Sequence, residues 1–250
     1  MRDTLEALAE GDISVAEAEA ALAGYATTEA GRFDAARETR RGVPEGIYAE
    51  GKTPAEVATL AAAAVETTGR ALVTRADADD VAAVEAEFGP DARVDHRERA
   101  GVVVVHGPDF EAPALDATVT IVTGGTADAV PAGEAAAVVA EMGATVERIA
   151  DVGVANLTRI TDQVGALRAA DVLVVAAGRE GALPTVVAGL VDTPVIGLPV
   201  ASGYGVGGEG RAALHGMLQS CTVLSTVNVD AGYVAGAQAG LIARAVADAR

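Results

Sequence analysis

The sequence predicts an α/β protein whose larger part is a mostly parallel β-sheet covered by helices on both faces. From Ala117 onward, apolar runs alternate with helical segments of ten or more residues, which is the pattern of successive βα units. The runs are ATVTIV, ATVERI, VLVVAA, PVIGL and STVNV. Because such continuously apolar strands are buried on both faces, a ligand is expected at their carboxyl ends, where the glycines cluster.

A change in composition near residue 115 divides the chain into two predicted domains. Residues 1–115 hold 23 of the 36 acidic residues, whereas residues 116–250 hold 19 of the 29 glycines. Between the two parts, residues 107–115 (GPDFEAPAL) show neither helical nor strand periodicity. We therefore predict a smaller N-terminal helical and α/β domain over 1–115 and an α/β domain over 116–250.

The starts of two helices in the first part are marked by capping boxes, in which a hydroxyl and a carboxylate three residues apart bond each other's backbone N–H. The pairs are Ser14 with Glu17 and Thr53 with Glu56. Helices are predicted over residues 2–10, 15–22, 54–66 and 78–87, and strands over 71–74 and 99–105. The last of these helices and the two strands beside it would form a βαβ unit.

The composition excludes several classes of protein. Half of the residues are hydrophobic, yet no uncharged apolar run approaches the ~18 residues of a membrane span. A formal net charge of −18 argues against nucleic acid as a partner and is typical of halophilic proteins, which stay dispersed in concentrated salt. The N-terminus, MRDTLEALAEGD, carries acidic residues where a signal peptide needs a basic segment, so a cytoplasmic location is expected.

Cysteine and histidine are too sparse for a structural metal site. The chain has one cysteine, Cys221, and three scattered histidines, so we predict no internal disulfide and no metal ligand set. A lone cysteine is usually a small buried hydrophobic residue, and the alternative is a nucleophile.

The segment GIYAEGKT at residues 46–53 matches the pattern of a phosphate-binding loop. A true loop of this kind leaves a buried strand, but the preceding residues, RETRRGVP, are polar and charged. We therefore predict that Thr53 caps a helix and that the match is fortuitous.

Glycine-rich loops follow the predicted strands of the second part. TGGTAD (123–128) offers backbone N–H groups to an anion, and Asp128 could orient or deprotonate a ligand there. The alternative is a glycine turn in which Asp128 is only a helix N-cap. The third of these loops along the chain, PVASGYGVGG (199–208), contains small residues that allow the backbone to close over a ligand.

The loop AGREGALP (177–184) places Arg179 and Glu180 at the end of the third strand. A desolvated glutamate at such a position can act as a general base. The alternative is a glutamate that merely favours the start of the next helix through the helix dipole.

Taken in order, these motifs resemble the LarB family of nickel-pincer cofactor biosynthesis proteins. The motifs are TGGTAD, DVGVANLTR, AGREGALPTVVAGLVDTPVIGLP, GYG and GMLQSC followed by VNVDAGY, spread over residues 117–240, with RGVPE, GKT and TRA as a looser match in the first part. The second part is more distantly similar to carboxyaminoimidazole ribonucleotide mutases, which implies a flavodoxin-like three-layer sandwich. Two positions depart from both families: Ala127 replaces a serine, and Thr158 replaces a histidine before Arg159, which is kept.

The resemblance implies a carboxylase and hydrolase that converts nicotinic acid adenine dinucleotide and carbon dioxide or bicarbonate into pyridinium-3,5-biscarboxylic acid mononucleotide and AMP. It implies Cys221 as nucleophile, Glu180 as base, and Asp128 as a further catalytic group. The implied substrate-binding residues are Gly124, Gly125, Thr126, Arg159, Gly178, Gly181, Ser202, Gly203 and Gly205. No tightly bound cofactor is expected, Mg²⁺ is left open, and a homo-oligomer, by resemblance an octamer, is expected.

The chemistry of pyridinium carboxylation explains why the reaction needs a nucleophile such as a cysteine thiolate. A pyridinium carbon that bears only hydrogen is electron-poor and cannot attack carbon dioxide, whereas addition of a thiolate beside it makes that carbon nucleophilic. We therefore expect the strand ends to bring Asp128, Arg159, Glu180 and Cys221 into one cleft. We also expect the apolar helix over residues 231–249 to pack against a second copy.

Two alternatives remain open at this point. An aminoimidazole ribonucleotide carboxylase or mutase needs no nucleophile, because its substrate ring is already electron-rich, but the histidines of its AHR and AHLPG motifs are absent here. A non-catalytic module that binds an adenylate would have Cys221 buried and remote from the glycine loops.

Overall fold

A computed structural model describes residues 1–89, 92–203 and 205–250 of the chain. Tyr204, within the third glycine-rich loop, therefore lies outside the described residues. The chain separates into two compact units, Met1–Glu111 and Ala112–Arg250, each with its own hydrophobic core. Within the described ranges, no helix combines the length and the apolarity that crossing a bilayer requires.

The first unit is built around a four-stranded sheet. Its elements are α1 (Arg2–Glu10), α2 (Val15–Ala23), β1 (Ala26–Thr28), β2 (Gly31–Phe33), α3 (Arg37–Arg41), β3 (Gly46–Tyr48), α4 (Pro54–Thr68), β4 (Arg70–Thr74), α5 (Ala78–Glu87), β5 (Arg93–Arg97) and β6 (Val102–His106). The strand order is β3-β4-β6-β5, and β1 and β2 form a separate hairpin. Both predicted capping boxes are present, at Ser14 and Thr53.

The predicted βαβ unit at the end of this part is wrong. Strands β4 and β6 pair antiparallel, and the strand that follows α5 is β5, which the sequence analysis missed. Its sequence, RVDHR, is polar because β5 lies at the edge of the sheet, so it lacks the apolar pattern of a central strand. The parallel connection runs instead from β3 through α4 to β4.

The second unit contains a five-stranded sheet that is parallel throughout. Its elements are β7 (Thr118–Thr123), α6 (Ala129–Glu141), β8 (Thr145–Ile149), α7 (Thr158–Thr161), α8 (Val164–Ala169), β9 (Val172–Ala177), α9 (Ala182–Ala188), β10 (Val195–Pro199), α10 (Arg211–Leu218), β11 (Ser225–Thr226) and α11 (Gly232–Asp248). The order β11-β10-β9-β7-β8 is the flavodoxin-like arrangement. Each predicted strand of this part is present, and the predicted fold class is confirmed.

Successive residues of the central strands face opposite helical layers, which is why β9 is apolar at every position. Val172 and Val174 of β9 pack in the cluster that contains α6 and α11, while Leu173 and Val175 pack with α9 and α10. The chain leaves β7 toward β8 on one side and later returns to β9 on the other. The strand order therefore reverses between β7 and β9, and this reversal opens a crevice at their carboxyl ends.

Helix α11 packs against α6 of the same chain. Its glycines Gly236 and Gly240 sit directly on Ala135 of α6 and on Met142, which follows α6, and a Cβ at either glycine would overlap the facing atoms. This contact covers much of the apolar surface that we expected a second copy to cover, so α11 no longer supports the prediction of an oligomer.

Candidate active site

A cleft of about 510 Å³ lies at the carboxyl ends of β7, β8, β9 and β10, where the strand order reverses. It is lined by Gly124, Gly125, Thr126, Ala127, Asp128, Gly153, Val154, Ala155, Ala177, Gly178, Arg179, Glu180, Ala182, Leu183, Ser202 and Gly203. The four loops that form it are those that follow the four strands. This is the position at which open parallel sheets bind ligands.

Glycines allow these loops to approach one another closely. A Cβ on Gly178 would overlap the hydroxyl and carbonyl oxygens of Ser202, and a Cβ on Gly153 would come within 2.7 Å of the Gly124 carbonyl oxygen. The cleft therefore depends on glycine at positions where the loops after two different strands touch.

Replacing Gly178 by alanine should damage the cleft directly. The added methyl group must displace Ser202, so we expect Gly178→Ala to lower the free energy of unfolding by about 1–3 kcal/mol and to weaken ligand binding. The matched control is Gly165→Ala in α8, where a Cβ meets nothing within 4 Å and should be neutral or slightly stabilising. Urea denaturation of both variants measures the effect, and equal stabilities would contradict the packing described here.

Asp128 joins three of the loops through its carboxylate. It accepts hydrogen bonds from the backbone N–H of Gly125 at 2.8 Å and from the hydroxyl of Ser202 at 3.2 Å, and the N–H groups of Gly124 and Gly178 also face it. Asp128 stands at the N-cap of α6, but its side chain does not cap that helix. The interpretation of Asp128 as a simple helix cap is therefore wrong.

Burial also changes the acidity of this group. Asp128 is only 4% exposed, and its burial raises the pKa of the carboxyl above the ordinary aspartate range, although the hydrogen bonds from Gly125, Ser202, Gly178 and Gly124 oppose the rise. A buried carboxyl with a raised pKa, aimed into a cleft, is a candidate for holding or passing a proton.

We expect Asp128→Asn to loosen the loops. An amide offers one acceptor oxygen, and its NH₂ group would face backbone N–H donors, so the variant should lose about 1–3 kcal/mol of stability and most of its ligand affinity. Asp162→Asn, at an exposed position, is the matched control and should melt like the wild-type chain. Thermal melts of the two variants that coincide would show that Asp128 does not hold the loops together.

Glu180 lines the cleft but is exposed to solvent, so the chain around it does not supply the desolvation that a general base would use. Its backbone is held firmly: a Cβ on Gly216 of α10 would overlap the carbonyl oxygen of Glu180. The preceding residue, Arg179, adopts a left-handed backbone with φ of 53°, which is unusual for a residue other than glycine. Such strain concentrates at ligand-binding turns.

Arg159 lies near the cleft but does not line it. It belongs to the short helix α7, and its guanidinium donates to the carboxylate of Asp151 at 3.2 Å and to the Asp151 carbonyl oxygen at 3.3 Å. Both residues are on the connection that follows β8. Of the two positions that depart from the family patterns, Ala127 lines the cleft with a methyl group, whereas Thr158 bonds to the side chain of Asn156 outside it.

The expectation that Cys221 joins the cleft is wrong for a single chain. Cys221 is exposed and lines a separate groove of about 610 Å³, together with Pro194, Val195 and Ile196 at the amino end of β10. The physical reason is topological: Cys221 precedes β11, so it lies at the amino edge of the parallel sheet, while the glycine loops follow strands and lie at the carboxyl edge. Its exposure equally excludes the reading of a buried core cysteine.

The other residues that were expected to bind substrate form two groups, those that line the cleft and those that do not. Gly124, Gly125, Thr126, Gly178, Ser202 and Gly203 line the cleft. Gly181 and Gly205 do not line it; Gly181 is the N-cap of α9, with φ of 68°. The loop of Gly153, Val154 and Ala155 lines the cleft although the sequence analysis assigned it no role. The signal for it was present in DVGVAN, a glycine-containing segment directly after a predicted strand.

Comparisons with known families agree with this architecture. A family described as LarB/PurE-like N-terminal domain matches residues 25–107, and the AIR carboxylase family matches residues 118–250. The chain belongs to the LarB family. The LarB chain thus has a core of the AIR carboxylase type, which supports an enzyme of the carboxylase and mutase kind, and the predicted family resemblance is confirmed.

One curated relative extends over nearly the whole LarB chain. It is described as Uncharacterized protein MJ0165 from Methanocaldococcus jannaschii and is 34% identical over 256 residues, covering 98% of this chain and 97% of its own length. The two chains therefore share both parts, including the N-terminal one.

Proposed function

We propose that this LarB chain carboxylates the pyridinium ring of nicotinic acid adenine dinucleotide and hydrolyses its phosphoanhydride, giving pyridinium-3,5-biscarboxylic acid mononucleotide and AMP. The product would be the organic precursor of the nickel-pincer cofactor of lactate racemase-type enzymes, made in the cytoplasm. The observation that carries the proposal is a cleft with carboxylates, built from glycine loops, in a chain to which both family matches apply.

The carboxylation requires four bond changes. The thiolate of Cys221 adds to the ring carbon next to C5, and the ring electrons then form a dienamine. C5 attacks the carbon of CO₂, and Glu180 takes the C5 proton. Expulsion of the thiolate restores the aromatic ring, so the net change is replacement of one hydrogen by a carboxylate.

The phosphoanhydride is cleaved by water, which supplies the oxygen that ends on one of the two phosphates. The loops after β7 and β9 line the cleft and would bind carboxylate or phosphate oxygens through backbone N–H groups other than those of Gly124, Gly125 and Gly178, which already bond to Asp128. Carbon dioxide or bicarbonate enters as co-substrate, and the proposal includes no tightly bound cofactor.

Cys221 lies away from the cleft of its own chain, but a second copy of the chain would account for this separation if it brought its Cys221 to that cleft. Cys221 is exposed, and two apolar residues near it are exposed as well: Leu218 by 64% and Val223 by 94%. A neighbouring protomer that covers these side chains would remove them from water and could place its own cleft against Cys221. We therefore propose a homo-oligomer, by resemblance an octamer, in which each cleft is completed by the cysteine of a neighbour.

An aminoimidazole ribonucleotide carboxylase or mutase is the second candidate, and the position of Cys221 outside the cleft favours it. That reaction uses an electron-rich ring and needs no thiolate. Against it stands the lining of the cleft, because Ala127 and Ala182 stand there in place of the serine and histidine of that family, and none of the described lining residues is a histidine.

A substrate comparison separates the two candidates. The purified chain is incubated in concentrated salt with bicarbonate and either nicotinic acid adenine dinucleotide or aminoimidazole ribonucleotide, and products are separated by chromatography with mass detection. We expect turnover of the dinucleotide only. Carboxylation of the aminoimidazole ribonucleotide, with the dinucleotide unchanged, would replace this proposal by the second candidate.

A further inference from the structure

The first unit has a cationic and aromatic cluster at the carboxyl ends of its two parallel strands. Strands β3 and β4 end side by side, with Tyr48 paired to Thr74, and the N–H of Ala49 continues the ladder by donating to the Thr74 carbonyl oxygen at 2.9 Å. The residues that follow each strand therefore emerge at one edge. This is the same kind of edge that forms the cleft in the second unit.

Two cationic side chains contact Tyr48 at this edge. The guanidinium of Arg75 lies over the ring of Tyr48, 5.7 Å from its centroid, and the Nζ of Lys52 donates to the Tyr48 carbonyl oxygen at 2.6 Å. Arg75 also pairs with Glu50 at 2.8 Å. Tyr48 is 37% exposed, so an aromatic surface and two cations are accessible together.

Two further features mark the residues of this cluster. Lys52 is the one lysine in a sequence whose other seventeen basic residues are arginines, and it stands in a part that is strongly acidic. Arg75 adopts φ of 57°, a left-handed conformation that is strained for an arginine and that glycine would adopt freely. A strained backbone that carries a charged side chain to a strand end indicates a binding role for that side chain.

We infer that Tyr48, Lys52 and Arg75 form a binding site for a nucleotide phosphate on the first unit, with the tyrosine ring beside the base and the two cations at the phosphate. The site is not a phosphate-binding loop, because the first turn of α4 is already occupied by the capping box of Thr53 and Glu56. Phosphate oxygens form strong hydrogen bonds with lysine and arginine, and aromatic rings stack on bases. The inference rests on the proposed function for the identity of the nucleotide, which is an adenylate.

Glu50 regulates access to the site by occupying Arg75. Its side chain is 71% exposed, so its pairing with Arg75 is a solvated surface contact that a dianionic phosphate can displace. Removal of this carboxylate should therefore strengthen phosphate binding, whereas removal of either cation should weaken it.

Calorimetric titration of the full chain with AMP tests the inference, without dinucleotide or bicarbonate present. We expect Lys52→Gln and Arg75→Gln each to weaken AMP binding about tenfold, and Glu50→Gln to strengthen it about threefold. The matched control is Arg32→Gln, which removes an arginine that also stacks on a tyrosine, Tyr25, in the same unit. It should leave AMP binding unchanged.

Two further titrations identify the ligand class. Adenosine should bind much more weakly than AMP, and inorganic phosphate should bind more weakly than AMP but lose affinity in the same two variants. Equal affinity for phosphate and AMP would overturn the nucleotide assignment. AMP binding that is the same in Lys52→Gln, Arg75→Gln and the Arg32→Gln control would overturn the site.

These results are independent of the reaction. A chain that carboxylates the dinucleotide but binds AMP equally in every variant retains the proposed function and contradicts this inference. A chain that yields no dicarboxylated product but loses AMP binding in the two cation variants retains the site and contradicts the proposed function.

Discussion

Replacement of Cys221 by alanine should abolish formation of the dicarboxylated mononucleotide, lowering the rate by at least about 10³-fold, while the chain folds and binds the dinucleotide normally. The thiolate supplies the electron pair that activates C5, and a methyl group cannot replace it. Because Cys221 is exposed, its removal should change the free energy of unfolding by no more than about 0.5 kcal/mol. Product analysis and denaturant unfolding on the same preparation separate the two effects.

Cys221→Ser is the sharper variant of the same experiment. A serine hydroxyl fits the space but is almost wholly protonated near neutral pH, so the rate should still fall by orders of magnitude. Oligomer size, measured by light scattering, should not change. Either variant carboxylating at a rate near that of the wild-type chain would show that the covalent route is wrong and would favour the route of the mutases.

Mixing two inactive variants should restore activity if the cleft of one protomer uses the cysteine of another. Cys221→Ala retains Glu180, and Glu180→Gln retains Cys221. In oligomers reassembled from equal amounts, about a quarter of the shared sites would combine an intact Glu180 with an intact Cys221. We therefore expect the mixture to recover about a quarter of wild-type activity, although each variant alone is inactive.

The control is the same mixture kept as separate oligomers, without the dissociation step. It should remain inactive, because no protomers have exchanged. If reassembled oligomers that demonstrably contain both variants are also inactive, Cys221 and Glu180 act within one chain, and a rearrangement of the loops rather than a neighbour must bring them together.

The parallel sheet could be predicted because its central strands, β7, β9 and β10, are buried on both faces and are therefore mainly apolar. The same physical rule explains the misses in the first unit. Strand β5 lies at an edge and is polar, and β3 is only three residues long, so neither produces an apolar run. The short apolar segment at β6 was predicted as a strand, but its antiparallel pairing with β4 depends on contacts that no local pattern records.

The site was predicted in part for a similar reason. Glycines and charged residues directly after a strand mark the carboxyl edge, and that rule found Asp128, Glu180 and their loops. It could not show that Asp128 bonds to Ser202, 74 residues away, because that contact depends on the closeness of β7 and β10 loops in space. It was also misapplied to Cys221, which precedes its strand and so lies at the opposite edge.

Labelled bicarbonate traces the carbon atom that the proposed reaction adds to the pyridinium ring. The wild-type chain is incubated with nicotinic acid adenine dinucleotide and ¹³C-bicarbonate, and the mononucleotide product is isolated and examined by mass spectrometry and ¹³C NMR. We expect one labelled carboxylate on C5 of the pyridinium ring and release of AMP in equal amount. Release of AMP together with an unlabelled nicotinic acid mononucleotide, or recovery of the intact dinucleotide, would contradict it.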